Sequence, residues 1–180
     1  MKIVKKILIG ILLLVVIALI TALFVSKDMM AEREVIINKP KQEVFDYIKL
    51  LKNQNNYSKW ATMDPLMKKE FEGTDGTVGF ISAWDSENGD VGKGEQEIKK
   101  IEEGKRINFE LRFIKPFESI AQAYMTTEAI TETQTKIQWG FQGNMSYPFN
   151  IMKLFMNPEK AVSDDFSTGL NNLKTILEKQ

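Results

Sequence analysis

The 180-residue chain has neither histidine nor cysteine, so imidazole acid–base work, thiolate nucleophiles and the usual zinc ligands are excluded. Proton transfer would fall to carboxylates, lysines or tyrosines. Asp64, followed by Pro65, is the candidate, because it sits in an expected loop near the tryptophans Trp60 and Trp84, where apolar surroundings would suit a carboxyl to acid–base work. The other reading of Asp-Pro is the start of a turn, with the carboxylate accepting from nearby backbone N–H groups, and it is the commoner one. Asp85, Glu87 and Asp90 crowd one loop, but their spacing matches no calcium-binding loop. Glu95 and Glu97 share one face of a strand, and Asp164 and Asp165 fall on the outer side of a helix; solvated surfaces explain both. Gly73, Gly76 and Gly79 are too loosely spaced, and too far from a helix start, to cradle a phosphate. No metal or cofactor is expected.

Charge narrows the partners. Basic and acidic residues balance at 24 each. Lys2, Lys5 and Lys6 precede an apolar run, so the remainder is slightly acidic and unsuited to nucleic acid. Residues 7–25 are apolar apart from Gly10 and Thr21, long enough to cross a bilayer as a helix. The run is longer than the apolar core of a secretory leader and ends in Leu23, Phe24 and Val25, where a cleavage site wants small residues. We read residues 1–26 as an uncleaved signal anchor, 27–31 as a tether and 32–180 as one domain. The three flanking lysines predict a single-pass topology, N-terminus cytoplasmic and domain extracytoplasmic.

The elements that would position a site follow in order. Residues 32–38 read as a strand stopped at Pro40, and residues 41–52 as an amphipathic helix carrying Val44, Phe45, Ile48 and Leu51. Residues 53–58 are a polar break. Strands are expected at 67–72, 77–84, 92–101, 106–114, 118–130 and 135–143, separated by glycine-rich or polar turns. In the fourth of these Ile107, Phe109, Leu111 and Phe113 alternate with Arg106, Asn108, Glu110 and Arg112, one dry face and one wet. Residues 157–178 form a long helix: Asn157 caps it, Pro158 occupies its first turn, and Val162, Phe166, Gly169, Leu170, Leu173, Ile176 and Leu177 make a core-facing stripe. A strand, a helix, a run of antiparallel strands and a terminal helix make an α+β class.

This order resembles the helix-grip fold of the START-like (SRPBCC) superfamily. Trp60, Asp64-Pro65, Gly73, Gly76-Thr77-Val78-Gly79, Trp84 and Val91-Gly92-Lys93-Gly94 are similar to the pattern of its bacterial polyketide cyclase/dehydrase-like branch. Residues 113–118, 135–140 and 158–177 continue the likeness, which spans residues 32–180. The membrane anchor departs from the soluble pattern. The resemblance implies a curved antiparallel sheet wrapped around the C-terminal helix, with an apolar cavity between them for a lipid-like or other hydrophobic molecule. It carries over no catalytic constellation.

On that fold Trp60, Phe80, Trp84, Phe109, Phe113, Met125, Trp139, Phe141, Phe166 and Leu170 are the candidate cavity lining; aromatics on a dry strand face also serve simply as core. Residues 145–156, apolar around Pro148, have three readings: a gate over the cavity built on Phe149, Met152 and Phe155, a contact with the membrane surface, or a plug. The expected function is a monomeric, membrane-tethered protein that binds a hydrophobic small molecule or lipid. The alternatives are a cyclase- or dehydratase-type enzyme using a pocket carboxylate, and an envelope interaction protein with a closed core.

Overall fold

The computed structural model describes residues 2–179; Met1 and Gln180, the outermost residues of the expected anchor and domain, lie outside the described residues. Helix α1 (Lys2–Phe24) is followed by β1 (Asp28–Ile37), α2 (Lys41–Lys49), a 3-10 turn (Leu51–Asn53) and the short helices α3 (Gln54–Tyr57) and α4 (Lys59–Met63). Six strands follow: β2 (Lys68–Glu72), β3 (Ile81–Asp85), β4 (Lys93–Glu102), β5 (Arg106–Lys115), β6 (Ser119–Thr131) and β7 (Gln134–Asn144). A 3-10 helix (Phe149–Leu154) then leads into α5 (Pro158–Glu178). The seven strands form one antiparallel sheet in the order β1-β7-β6-β5-β4-β3-β2, so β1 closes the meander by pairing with its last strand. This is the helix-grip, α+β arrangement expected.

The alternation of β5 holds: Ile107 and Phe109 are fully buried while Arg112 lies on the outer face, held by Glu95, Glu97 and Glu110. The Glu95 and Glu97 pair is thus tied up in an ion cluster, and Arg112 beside it holds the Glu97 carboxyl below its ordinary value. Helix α5 starts as its sequence dictates, the Asn157 side chain accepting from Lys160 N at 2.9 Å and Pro158 needing no partner for its missing N–H. It buries Phe166, Gly169, Leu170, Leu173 and Leu177 against the sheet. Gly169 is required by a close approach: a Cβ there would lie 3.0 Å from the Trp139 indole and 3.4 Å from the Tyr57 carbonyl.

Three expectations shift. The strand expected at 77–84 begins only at Ile81, because Gly76 and Gly79 take positive φ and keep the residues before it in turns. The first strand starts at Asp28, within the expected tether, because residues 28–31 pair with residues 141–144 of β7. The polar break at 53–58 is largely helical, in pieces too short to show a periodic pattern; Asp75 holds its start, accepting from Leu51 N at 2.7 Å and Lys52 N at 3.2 Å.

Helix α1 is long and apolar enough to cross a membrane. Its last turn leaves carbonyls with no helical partner, and the 3-10 helix supplies one. Asn150, fully buried, donates from Nδ2 to Ala22 O at 2.7 Å and Val25 O at 2.8 Å. Met145 N donates to Lys27 O at 2.8 Å, and Lys153 Nζ to Asp28 O. Residues 145–156 therefore clasp the junction between α1 and the sheet.

Candidate functional site

A cavity of about 370 Å³ lies between the sheet and the helical layer, within the roughly 300–1,000 Å³ usual for small-molecule sites. Its position follows from register. The strand ends that border it are the start of β1 (Met29), the end of β7 (Phe141, Gly143, Asn144), the start of β6 (Ser119, Ile120, Ala121), the end of β5 (Leu111, Phe113) and the end of β3 (Trp84). All lie at the end of the sheet where α1 enters. The opposite wall is Leu51, Gln54, Asn55 and Ser58 from the turn of short helices, Trp60 and Ala61 of α4, and Val162 and Phe166 of α5.

Two aromatic groups shape the interior. Trp139 and Phe166 stack with centroids 4.6 Å apart, and Trp60 meets both edge-on at 6.4 and 5.7 Å. Across the cavity Trp84 and Phe113 meet edge-on at 6.1 Å. Such pairs fix ring orientation more firmly than area burial alone. Gly94 makes room for the second pair, since a Cβ there would stand 2.6 Å from the Trp84 ring. Below the cavity Tyr57 is fully buried, its hydroxyl against the Met125 sulfur at 3.6 Å, and burial drives its pKa far upward, so it stays a neutral phenol.

Of the ten residues expected at the cavity, Trp60, Trp84, Phe113, Trp139, Phe141 and Phe166 line it. Phe80, Phe109, Met125 and Leu170 do not; they belong to the closed core. The reason is depth. Phe109 and Met125 lie further along their strands, where α2 and α3 close onto the sheet, Leu170 is one turn beyond Phe166, and Phe80 is covered by the stacked ring of Phe71. The expected gate residues Phe149, Met152 and Phe155 are exposed and line no part of the cavity, because their segment is docked on the end of α1. Asp64 is also off the wall: it accepts from Ser86 Oγ at 2.6 Å and Leu66 N at 3.0 Å, the turn role. Asp85 is paired with Lys93 at 2.8 Å, which holds its carboxyl below the ordinary value. Among the described residues no group of three or more acidic side chains is arranged to hold a metal.

Sequence reasoning missed the polar part of the wall. Gln54, Asn55, Ser58, Lys69, Ser82 and Gln96 border the cavity, and among the described residues Lys69 and Asp90 are the ionisable side chains that line it. The inward position of Gln96 was readable, since it alternates with Glu95 and Glu97 on the exposed face.

Comparison with solved structures finds the same fold at low identity. Norcoclaurine synthase from Thalictrum flavum superposes with a TM-score of 0.65 at 8% identity, over 87% of this chain and 97% of that one. A protein from Rhizobium leguminosarum gives 0.57 at 15% identity over 86% and 97%, and one from Thermobifida fusca 0.55 at 16% over 83% and 93%. A search of curated proteins finds no match. The family model described as polyketide cyclase/dehydrase and lipid transport matches residues 30–178, from the third residue of β1 to the last of α5. A START-like chain built on this sheet, this grip helix and this cavity thus belongs to the polyketide cyclase/dehydrase and lipid transport family.

Proposed function

We propose that the protein is a membrane-tethered binder of a hydrophobic, lipid-like molecule, held in the cavity beside the bilayer that α1 spans. The carrying observation is placement: the cavity occupies the end of the sheet at which α1 runs into β1 with three residues between them. A ligand that partitions into the bilayer is thereby presented to the cavity at high effective concentration. Exposed apolar side chains mark the same end, with Phe155 83% and Phe117 64% accessible and Phe117 packed on Phe149 at 5.1 Å. They favour membrane contact for residues 145–156, since apolar patches of this kind mark interaction surfaces. The three lysines before the apolar run support a cytoplasmic N-terminus and a domain outside.

The cavity also bears on the alternatives. A closed core would not leave this volume unfilled. On an enzyme reading, acid–base work would rest on Lys69 and Asp90, not Asp64.

The test is native mass spectrometry of the full chain released from detergent, before and after organic extraction. An extractable adduct of lipid-like mass supports the proposal; bare protein that takes up no added fatty acid, phospholipid or sterol refutes it. Topology is checked separately: the chain has no cysteine, so a single Glu87→Cys protein in intact cells should react with a membrane-impermeant maleimide.

A further inference from the structure

Gln96 is the side chain whose placement ordinary packing does not explain. It faces inward from β4, between Ser82 of β3 and Leu111 of β5 in the register, and is only 8% exposed. Its amide borders the cavity and forms no hydrogen bond to another of the described residues. Across the space, Gln54 of α3 borders the same cavity, and its Nε2 is buried without a well-formed hydrogen bond, the Tyr57 hydroxyl being its neighbour on the core side. Of the two, Gln54 Nε2 is the sealed donor, while the Gln96 amide stays open to the cavity; buried amide groups are almost always bonded, because leaving them unpaired forfeits hydration for nothing. Between them the cavity offers the apolar surface of Leu111, Phe113, Trp84 and Phe141, beside the polar Ser58, Ser82 and Lys69.

We propose that the cavity binds an amphiphile head-first, through a hydrogen-bond-accepting carbonyl (carboxyl, ester or amide) that takes N–H donors from Gln96 and Gln54. This rests on the ligand-binding reading above and gives its substrate class. A glutamine amide offers two donors and one acceptor. The terminal torsion of Gln54 is soft, so its Nε2 turns to the head without moving the backbone. The apolar tail then lies between the Trp84–Phe113 pair and Phe141 and leaves past Ile120 at the rim. The cavity equals the space of roughly a dozen waters at about 30 Å³ each, room for a head and a medium-length chain; longer tails project at the end near α1.

Trp60, Trp84 and Trp139 all line the cavity and are the chain's only tryptophans, so contact quenching by bromine reports its occupancy. The full chain in lipid nanodiscs is titrated with 12-bromododecanoic acid, its methyl ester and headless 1-bromododecane, compared at equal mole fraction in the bilayer. The acid and the ester should bind at least about 10-fold more tightly than the bromoalkane. Gln96→Leu should remove that advantage while leaving the bromoalkane unchanged or tighter, and Gln54→Met should weaken the two head-bearing probes alone. Equal binding of bromoalkane and ester by the unaltered chain overturns the proposal and leaves the cavity reading standing; this comparison needs no variant to fold. Binding of the acid but not the ester overturns it in favour of charge pairing with Lys69. Absence of quenching by any probe overturns both readings.

Discussion

Asn150 is the residue whose replacement separates anchor from domain while leaving the sheet intact. Its Nδ2 makes two bonds, at 2.7 and 2.8 Å, to the last carbonyls of the α1 region, and its Oδ1 is buried without a partner. Asn150→Leu, branched alike but larger, removes both bonds at about 1 kcal/mol each, while deleting the unpaired oxygen returns up to about 1 kcal/mol. The net loss of about 1–2 kcal/mol is local, confined to docking of residues 145–156 on α1. Asn150→Asp is worse, since a carboxylate replaces the donor and faces two carbonyls at the negative end of a helix. Hydrogen exchange of the full chain in detergent reads this at the amides of Met145, bonded to Lys27 O, and of Phe155 and Met156, bonded to Met152 O. Asn150→Leu should speed their exchange roughly 5- to 30-fold, and Asn150→Asp more, with protection in β5 and β6 unchanged. Unchanged exchange at 145–156 in the leucine variant, or an aspartate variant no worse than leucine, would refute the clasp.

Gly169→Leu forces a Cβ to 3.0 Å from Trp139 with a whole side chain beyond it; overpacking at the upper end of its range, about 2–3 kcal/mol, exceeds the roughly 1 kcal/mol gained in helix propensity. A net loss of about 1–2 kcal/mol should lower the melting temperature by roughly 2–8 °C, and an unchanged or raised value would show that the helix can lift off the ring. Two phenols contribute to alkaline stability: burial raises Tyr57, and burial with the neighbouring Glu32 carboxylate pushes Tyr124 up to about 12. The folded state then holds protons that the unfolded chain releases near the ordinary value of 10, so stability is complete below pH 10 and falls above it. Urea midpoints measured from pH 9 to 12 should decline, less steeply in Tyr57→Phe; a flat profile would contradict the assignment.

Most of the fold was legible because local chemistry and global packing agree. Asn157, Pro158 and the Phe166–Leu170–Leu173–Leu177 stripe specify α5 at every level, and the strict alternation of β5 and β7 assigns their faces. The site was half legible. Alternation says that Trp139, Phe109 and Met125 face inward, but not how deep each lies, and depth decides which is wall and which is core. Depth depends on where α3 and α5 close onto the sheet, a contact between segments about 115 residues apart, as in the bond from Asn172 Nδ2 to Tyr57 O. Asn150 was hidden for a related reason. A single asparagine in an apolar stretch shows no period, and its two acceptors lie 125 and 128 positions earlier in the chain.

The three residues between Phe24 and Asp28, braced by the Asn150 clasp, make the anchor a lever. A long flexible linker would let the domain swing through a sphere of orientations; here a helix embedded as proposed passes its tilt directly into β1. Helices tilt to match bilayer thickness, so the height and angle of the cavity above the lipid would change with the membrane around it. Lengthening the apolar run by one helical turn, about 5.4 Å of rise, would reposition the cavity without altering any residue that lines it.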